Sequence, residues 1–395
     1  PVVASMSSFH GVLTATLILQ TAASQETCRI GSPGGESVSV GIVGAGLVGQ
    51  EVLRQLRALS DTAGGGGWST VAVLRSQRMW LQHLQEATDD VMNLPGEPTN
   101  LTKFSDFMSA LPGPRVILDC TPSEEPADLY QSWLAAGINV VTANKKAGSG
   151  SLKRYKAIRE AARLGKSHFL YEATVGAGLP VLTTLQDMVR SGDDVHVVEG
   201  VFSGTLSFIF NHIELGATFS EAVWEAARLG FLEPDPRDDL SGGDVQRKVV
   251  ILARELGLEL ELEDVAPESL VPGTLIWNPP NADTRSTVSD FVRHLREFDG
   301  DMTEKVAQAR VQNKVLRYVG TINVSSRTAR ISLMPVLRDH PLAALRHADN
   351  MVAISSARFT PRPLVVQGPG AGAAVTAFGM LSDMFRLEQS GSSSR

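Results

Sequence analysis

The chain has 395 residues, 43% apolar and 20% charged, with a formal net charge of −7. This is an ordinary globular balance with length enough for two domains or one large one, and the acidic excess argues against nucleic acid or an anionic membrane as the main partner. No apolar run approaches the ~20 residues needed to cross a bilayer, and two cysteines, Cys28 and Cys120, make neither a disulfide scaffold nor a metal cluster, which points to a reducing compartment.

Residues 1–36 are rich in Ser, Thr, Ala and Gly and poor in charge. They are expected to form a flexible tail, either a targeting remnant or the end of something upstream. The run VSVGIVGAGLVG at 38–49 then reads as strand, glycine turn and helix start. Gly44, Gly46 and Gly49 fit the dinucleotide-binding pattern. The first permits a tight turn, the second lets backbone N–H groups approach a pyrophosphate, and the third lets helix and strand pack closely. Leu47 and Val48 lie within that turn, at the helix N-terminus. A second strand, Thr70–Leu74, ends at Arg75 with Arg78 close behind. A base at this place accommodates a 2′-phosphate where an acid would hold a ribose hydroxyl, so NADP is favoured over NAD.

Gly64–Gly67 is a flexible loop. A helix is expected over 101–111 and a buried strand over Arg115–Cys120, where Cys120 packs rather than reacts. Thr121-Pro122-Ser123 stops that strand where a nucleotide sheet opens to its ligand. A helix at Ala127–Ala136 and a strand at Gly137–Thr142 lead into Asn144-Lys145-Lys146. The fold class is therefore α/β, with a Rossmann-like parallel sheet in a nucleotide domain spanning 37–180.

A basic amphipathic helix at Ser151–Gly165 and a strand to Tyr171 precede EATVGAGLP at Glu172–Pro180. That turn exposes several carbonyls beside one carboxylate, which suits a hard cation or is simply the start of a helix. A helix at 181–191 and a strand at His196–Phe202 open a second, α+β domain of residues 181–365 with a largely antiparallel sheet. Within it, Gly230–Gly257 begins as an acidic loop, Glu233–Asp239, whose two prolines deny the backbone a helix. A helix capped by Ser241 with Asp244 is expected to follow and to close at Gly257, burying Val245, Val249, Leu252 and Leu256. Asp244 and Lys248 share a face beside the loop carrying Glu233. An acid, an ammonium and a second acid there could hold a zwitterion and move a proton, or could be an ordinary surface pair.

Ala266–Asp283 is loop-rich, Val288–Phe298 and Thr303–Gln312 are helical, and Val315–Val324 with Thr328–Val336 read as antiparallel strands. Further strands are expected at Val352–Ser356 and Leu364–Gln367. A second glycine turn from Gly368 opens a helix to Leu387. This helix is expected to return to the nucleotide domain, over 366–388, before a disordered tail at 389–395. A dinucleotide turn implies hydride transfer, and Lys145 and Lys248 are candidate general acids. No serine or cysteine stands in a nucleophile's context, so a carbonyl/alcohol couple is expected rather than an acyl-enzyme.

These segments resemble homoserine dehydrogenase: GIVGAGLVG, TANKKA at Thr142–Ala147, YEATVGAGLP, GVFSGTLSFIFN at Gly200–Asn211, FLEPDPRDDLSGGDVQRK at Phe231–Lys248, and QGPGAGAAVTA at Gln367–Ala377. The resemblance runs from about Val38 to Leu387. It implies NAD(P)-dependent interconversion of L-aspartate 4-semialdehyde and L-homoserine, toward threonine and methionine, with no membrane or nucleic-acid partner. It further implies that Lys248 exchanges the proton with Asp244 beside it, that Lys145 serves the nicotinamide end, and that Glu233, Gly230 and Thr205 meet the substrate. Thr121 and Gly372 are implied on the cofactor side. Glu172, Val175, Ala177 and Leu179 are implied as a sodium site, and a homodimer through the second domain's sheet follows. Two departures, Phe231-Leu232 for the commoner Tyr-Thr or Tyr-Ala and the glycine-rich Gly148-Ser149-Gly150, bear on loop stiffness rather than on a reacting group. The expected compartment is the cytoplasm, or a plastid if the N-terminal tail is a targeting remnant. The chain reads as a dehydrogenase unit, alone or cut from a bifunctional aspartokinase–homoserine dehydrogenase. Competing readings are a semialdehyde dehydrogenase acting through a cysteine thioester and a non-catalytic dinucleotide sensor.

Overall fold

A computed structural model describes residues 37–62, 67–81, 95–275 and 284–391. The expectations for residues 1–36 with Cys28, for most of the 64–67 loop, for 276–283 and for 392–395 lie outside these residues.

The first half alternates strand and helix: β1 Val38–Val43, α1 Leu47–Thr62, β2 Trp68–Leu74, β3 Arg78–Leu81, β4 Glu97–Pro98, α2 Leu101–Ala110, β5 Arg115–Asp119, α3 Glu124–Ala135, β6 Asn139–Thr142, α4 Lys145–Ser149, α5 Leu152–Gly165, β7 Phe169–Leu170 and α6 Val181–Arg190. Its strands form one sheet in the order β4-β3-β2-β1-β5-β6-β7. The five from β2 to β7 pair in parallel. β3 and β4 pair antiparallel, which adds a short antiparallel edge to the expected parallel sheet. The cause is loop length. Only Arg75, Ser76 and Gln77 separate β2 from β3, with Arg75 N donating to Arg78 O at 2.8 Å, and so short a connection cannot make a parallel crossover.

Both faces of the sheet are covered, which is why β1 and β5 read as nearly continuous apolar runs. Val40, Ile42, Val116 and Leu118 pack under α1 and the chain's last helix, Ala373–Gly391; Ile117 and Val71 pack under α2, α3 and α5.

The second half continues with β8 Val195–Val201, α7 Gly204–Leu215, α8 Phe219–Arg228, α9 Pro236–Leu240, α10 Gly243–Glu255, α11 Thr284–Leu295, α12 Asp299–Val311, β9 Lys314–Asn323, β10 Thr328–Leu337, β11 Asp349–Ser356, β12 Leu364–Pro369 and α13 Ala373–Gly391. Its five strands, in the order β10-β9-β8-β11-β12, are antiparallel throughout. One face of this sheet carries Ile322, Ile331 and Ile354 against α7 and α10, and the other holds a smaller cluster around Val319 and Met351. α13 lies along α1, where Gln55 Nε2 donates to Ala374 O at 3.0 Å. It runs to Gly391, past the expected end at Leu387.

Two local expectations in the acidic segment are corrected. Pro236 does not prevent a helix but starts one: it occupies the first turn of α9, where its missing N–H is not needed, and Asp235 caps that turn by accepting from Arg237 N at 3.0 Å. Ser241 ends α9 instead of capping α10. The α10 N-cap is Gly242, at φ 78°, where a side chain would run into the Tyr318 hydroxyl. The turn between the two helices therefore needs glycine on both counts.

Candidate active site

The first glycine turn, Arg75 and Thr121 meet at the C-terminal edge of the parallel sheet. Gly44 N and Ala45 N both donate to Leu74 O, at 2.8 and 3.2 Å, which sets the glycine turn against the end of β2 and against Arg75. A Cβ on Gly44 would strike the Thr121 methyl, and one on Gly49 would strike the Gly44 carbonyl, so the turn, the strand end and the helix approach as closely as glycine allows. At Gly46 and Gly372 a Cβ would meet nothing within 4 Å, and both positions face open space. Leu47 is 82% exposed at the N-terminus of α1, while Val48 packs on the core. This arrangement fits a dinucleotide, with the first amides of α1 free for phosphate oxygens.

Lys145 opens α4 immediately beyond β6, and its place is set by a buried network. Asp119, wholly buried, accepts from Thr121 N at 2.8 Å, from Asn144 Nδ2 at 3.0 Å and from the Tyr130 hydroxyl. Asn144 in turn caps α4 by accepting from Lys146 N at 3.0 Å and donates to Ser123 O at 2.7 Å. Burial pushes the Asp119 carboxyl up, against the hydrogen bonds that favour its charge. Sequence reasoning missed this network. Its members come from three separate segments, and only strand register brings them together.

Across the crevice α10 presents Asp244 in its first turn, where the helix dipole favours negative charge. Asp244 bridges two ammonium groups, Oδ2 to Lys248 Nζ at 2.7 Å and Oδ1 to Lys145 Nζ at 3.2 Å. Lys248 is buried and also donates to Phe202 O at 2.7 Å. Partial burial pushes Asp244 up, but the Lys248 and Lys145 charges outweigh it and hold this carboxyl well below the usual range. Burial pulls the Lys248 amine down, opposed by Asp244. Lys248 is buried while the Asp244 side chain is half exposed, and the pair is part of a three-charge cluster that joins both halves of the chain.

α4 reaches this position because it docks tightly on α10. A Cβ on Gly148 would press on Ile251, and Arg254 of α10 donates to Gly148 O at 2.8 Å. The extra glycine there serves close packing, not slackness.

The other end of the site is acidic. Glu233 N donates to Asp239 Oδ2 at 2.8 Å, and the Thr205 hydroxyl, within hydrogen-bonding reach of Asp239, donates to Phe231 O at 2.7 Å. Gly230 turns the chain at φ 76°. Burial, with the Glu233 charge adding to it, pushes Asp239 to about 6. Asp239 stood in the acidic run but was not singled out, since only the phase of α9 shows that it, and not Asp238, turns toward Glu233.

Glu172 sits elsewhere. Its carboxylate caps α6, accepting from Leu182 N at 2.7 Å and Thr183 N at 2.8 Å, from the Thr183 hydroxyl, and from Arg386 at 3.4 Å. Leu179 O accepts from Val181 N at 2.8 Å. Cys120 Sγ points at Met380 Sδ at 3.8 Å and burial pushes its thiol up, so among the described residues there is no activated thiol for a thioester route.

Two family descriptions match the chain: homoserine dehydrogenase over residues 180–385 and the homoserine dehydrogenase NAD binding domain over 44–172. The chain belongs to the homoserine dehydrogenase family. The family's members are NAD(P)-dependent oxidoreductases. Homoserine dehydrogenase from Saccharomyces cerevisiae is 36% identical, with 89% of this chain and 98% of that protein covered. Bifunctional aspartokinase/homoserine dehydrogenase 1, chloroplastic, from Zea mays is 42% identical over 89% of this chain, and the chain spans 38% of that relative's length. Among solved structures, a Candida auris protein of unknown function is 35% identical with a TM-score of 0.82, covering 90% of this chain and 99% of that one. A hyperthermophilic archaeal homoserine dehydrogenase solved in complex with NADPH shares the fold at 20% identity, with a TM-score of 0.64 over 90% of this chain and 98% of that one. Among the described residues, no helix is long and apolar enough to cross a membrane.

Proposed function

We propose that this chain interconverts L-homoserine and L-aspartate 4-semialdehyde, with NADP preferred over NAD, on the way to threonine and methionine. The observation that carries the reading is the buried Lys248 Nζ, held by Asp244 and Phe202 O and lying between the acidic end and the Lys145 end of one crevice. Gly44–Gly49, Arg75, Thr121, Lys145 and Gly372 would hold a nicotinamide cofactor, with Arg75 favouring a 2′-phosphate, and the cofactor would supply the hydride chemistry. Glu233 and Asp239 bind the substrate ammonium, with Thr205 and Gly230 shaping the loop around it. On oxidation of homoserine the neutral Lys248 amine accepts the hydroxyl proton; on reduction the ammonium returns it to the carbonyl oxygen. Asp244 keeps Nζ in place in both directions and stabilises its charged form.

The functional units are read as residues 37–180 with 366–388 for the nucleotide and 181–365 for substrate and for pairing with a second copy, giving a homodimer. A sodium ion is proposed in the Glu172–Leu179 loop, on main-chain oxygens such as those of Val175 and Ala177, since the Glu172 carboxylate is engaged at α6 and Leu179 O already accepts from Val181 N. Exchange of sodium for choline in the assay reads this site. The compartment is read as cytoplasm or plastid, the latter in keeping with relatives named as chloroplastic. The deciding experiment is turnover of homoserine with NADP: Lys248→Ala is expected to lose ~10²-fold or more in kcat. Activity within a few-fold of wild type overturns the role assigned to Lys248, and cofactor binding without turnover by the wild type favours a sensor.

A further inference from the structure

Lys248 does not hold its carbonyl partner alone. Phe202 O accepts from Lys248 Nζ at 2.7 Å and also from Asn350 Nδ2 at 3.1 Å. Phe202 follows β8 and Asn350 lies near the start of the neighbouring β11, where Met351 pairs with Val201, so the two donors reach one oxygen from different elements. The Phe202 ring lies close against the backbone of Gly200 and Gly320, where a side chain at either glycine would strike it.

Asn350 is 1% exposed, and its Oδ1 has no hydrogen-bond partner among the described residues. The amide cannot improve matters by turning over, since that would set Oδ1 against the Phe202 oxygen. Gly370 packs directly on the amide, leaving no room there for any side chain. An apolar residue of the same size would bury nothing unpaired, so stability alone does not account for an asparagine here. What the amide does accomplish is to occupy one lone pair of the oxygen that receives Lys248.

We infer that Asn350 is a positioning residue for Lys248: by donating to Phe202 O it fixes the direction in which that oxygen is offered to the Lys248 amine. The inference rests on the reading of Lys248 as the group that moves the proton. An N–H donated to a carbonyl also draws electron density from it, so the ammonium is held less tightly than a singly bonded carbonyl would hold it. Without the amide, Lys248 keeps its proton to higher pH. The other charges facing Nζ are Asp244 on the same helix, Lys145 from α4 and Asp239 from α9, and these are unaltered by a change at Asn350.

The test is Asn350→Leu in the full chain, beside Lys248→Ala, with melting temperature and the pH profile of homoserine oxidation measured for each. The expected result for Asn350→Leu is an unchanged melting temperature, kcat lowered by about tenfold or more, KM for homoserine within about twofold of wild type, and the alkaline rise in kcat/KM moved to higher pH. An inactive Lys248→Ala together with wild-type kcat and pH profile in Asn350→Leu overturns this inference and leaves the reading of Lys248 intact. Activity in Lys248→Ala removes both. Should Asn350→Leu fail to fold, Asn350→Ser, whose hydroxyl is too short to reach Phe202 O, is expected to give the same kcat loss and upward shift, and a wild-type profile there is equally decisive against it.

Discussion

The two ends of the crevice follow opposite electrostatic plans. At the lysine end Asp244 lies between Lys145 and Lys248 and is driven low. At the acidic end Glu233 and Asp239 face one another through a main-chain amide, and burial lifts Asp239 to about 6. Among the described residues neither of these acids has an ion-pair partner. At one end the carboxylate is therefore already held in ion pairs before anything binds, and at the other the acids await an incoming cation. A preorganised cluster suits the transfer of a proton, and an uncompensated pair of acids suits capture of an amino group.

Three substitutions sharpen or break this contrast. The largest effect is expected from Asp244→Asn, with kcat lowered by ~10²-fold. Removing the anion leaves two ammonium groups facing each other, which pulls the Lys248 amine further down. The rise of kcat/KM for homoserine oxidation should then begin at lower pH than in wild type, the reverse of the shift expected at Asn350. An unmoved pH profile would dissolve the distinction between the ends. Next comes Glu233→Gln, expected to raise KM for homoserine by about tenfold while kcat stays within a few-fold, the mark of lost ground-state binding. A fall in kcat with KM unchanged would assign Glu233 to the chemistry instead. The smallest effect is expected from Asp239→Asn. In wild type, Asp239 gains its proton as pH falls through about 6 and ceases to attract an ammonium, so kcat/KM should decline there. The variant should cost a few-fold above that pH and lose the inflection at it; persistence of the inflection would trace it to another group.

Much of this was legible in the sequence. The glycine turn, the strand ending at Arg75 and the Asp244–Lys248 spacing each depend on periodicity or on short-range stereochemistry, which a single segment carries within itself. What was not legible depended on pairing at a distance or on the phase of a short element. The antiparallel edge at β3 and β4 is too short to show a period. The helix α9 was hidden because proline forbids a helix interior but favours a first turn, and the two cases differ only by where the preceding cap falls. Glu172 read as the start of a helix or as a cation ligand, and its engagement with the first amides of α6 appears only once Leu182 and Thr183 are placed in three dimensions. The network of Asp119, Tyr130 and Asn144 had no signature at all, since each member is an ordinary residue at an ordinary strand or helix end.

The bond from Arg254 to the Gly148 carbonyl has a mechanical consequence. Lys145 follows the nucleotide-binding strands in the chain, yet its short helix is riveted to the one that bears Lys248. The two amino groups are thereby carried on one packed pair of helices. The spacing on which the shared carboxylate depends is therefore set by how α4 packs on α10, and not by the strand that leads into Lys145.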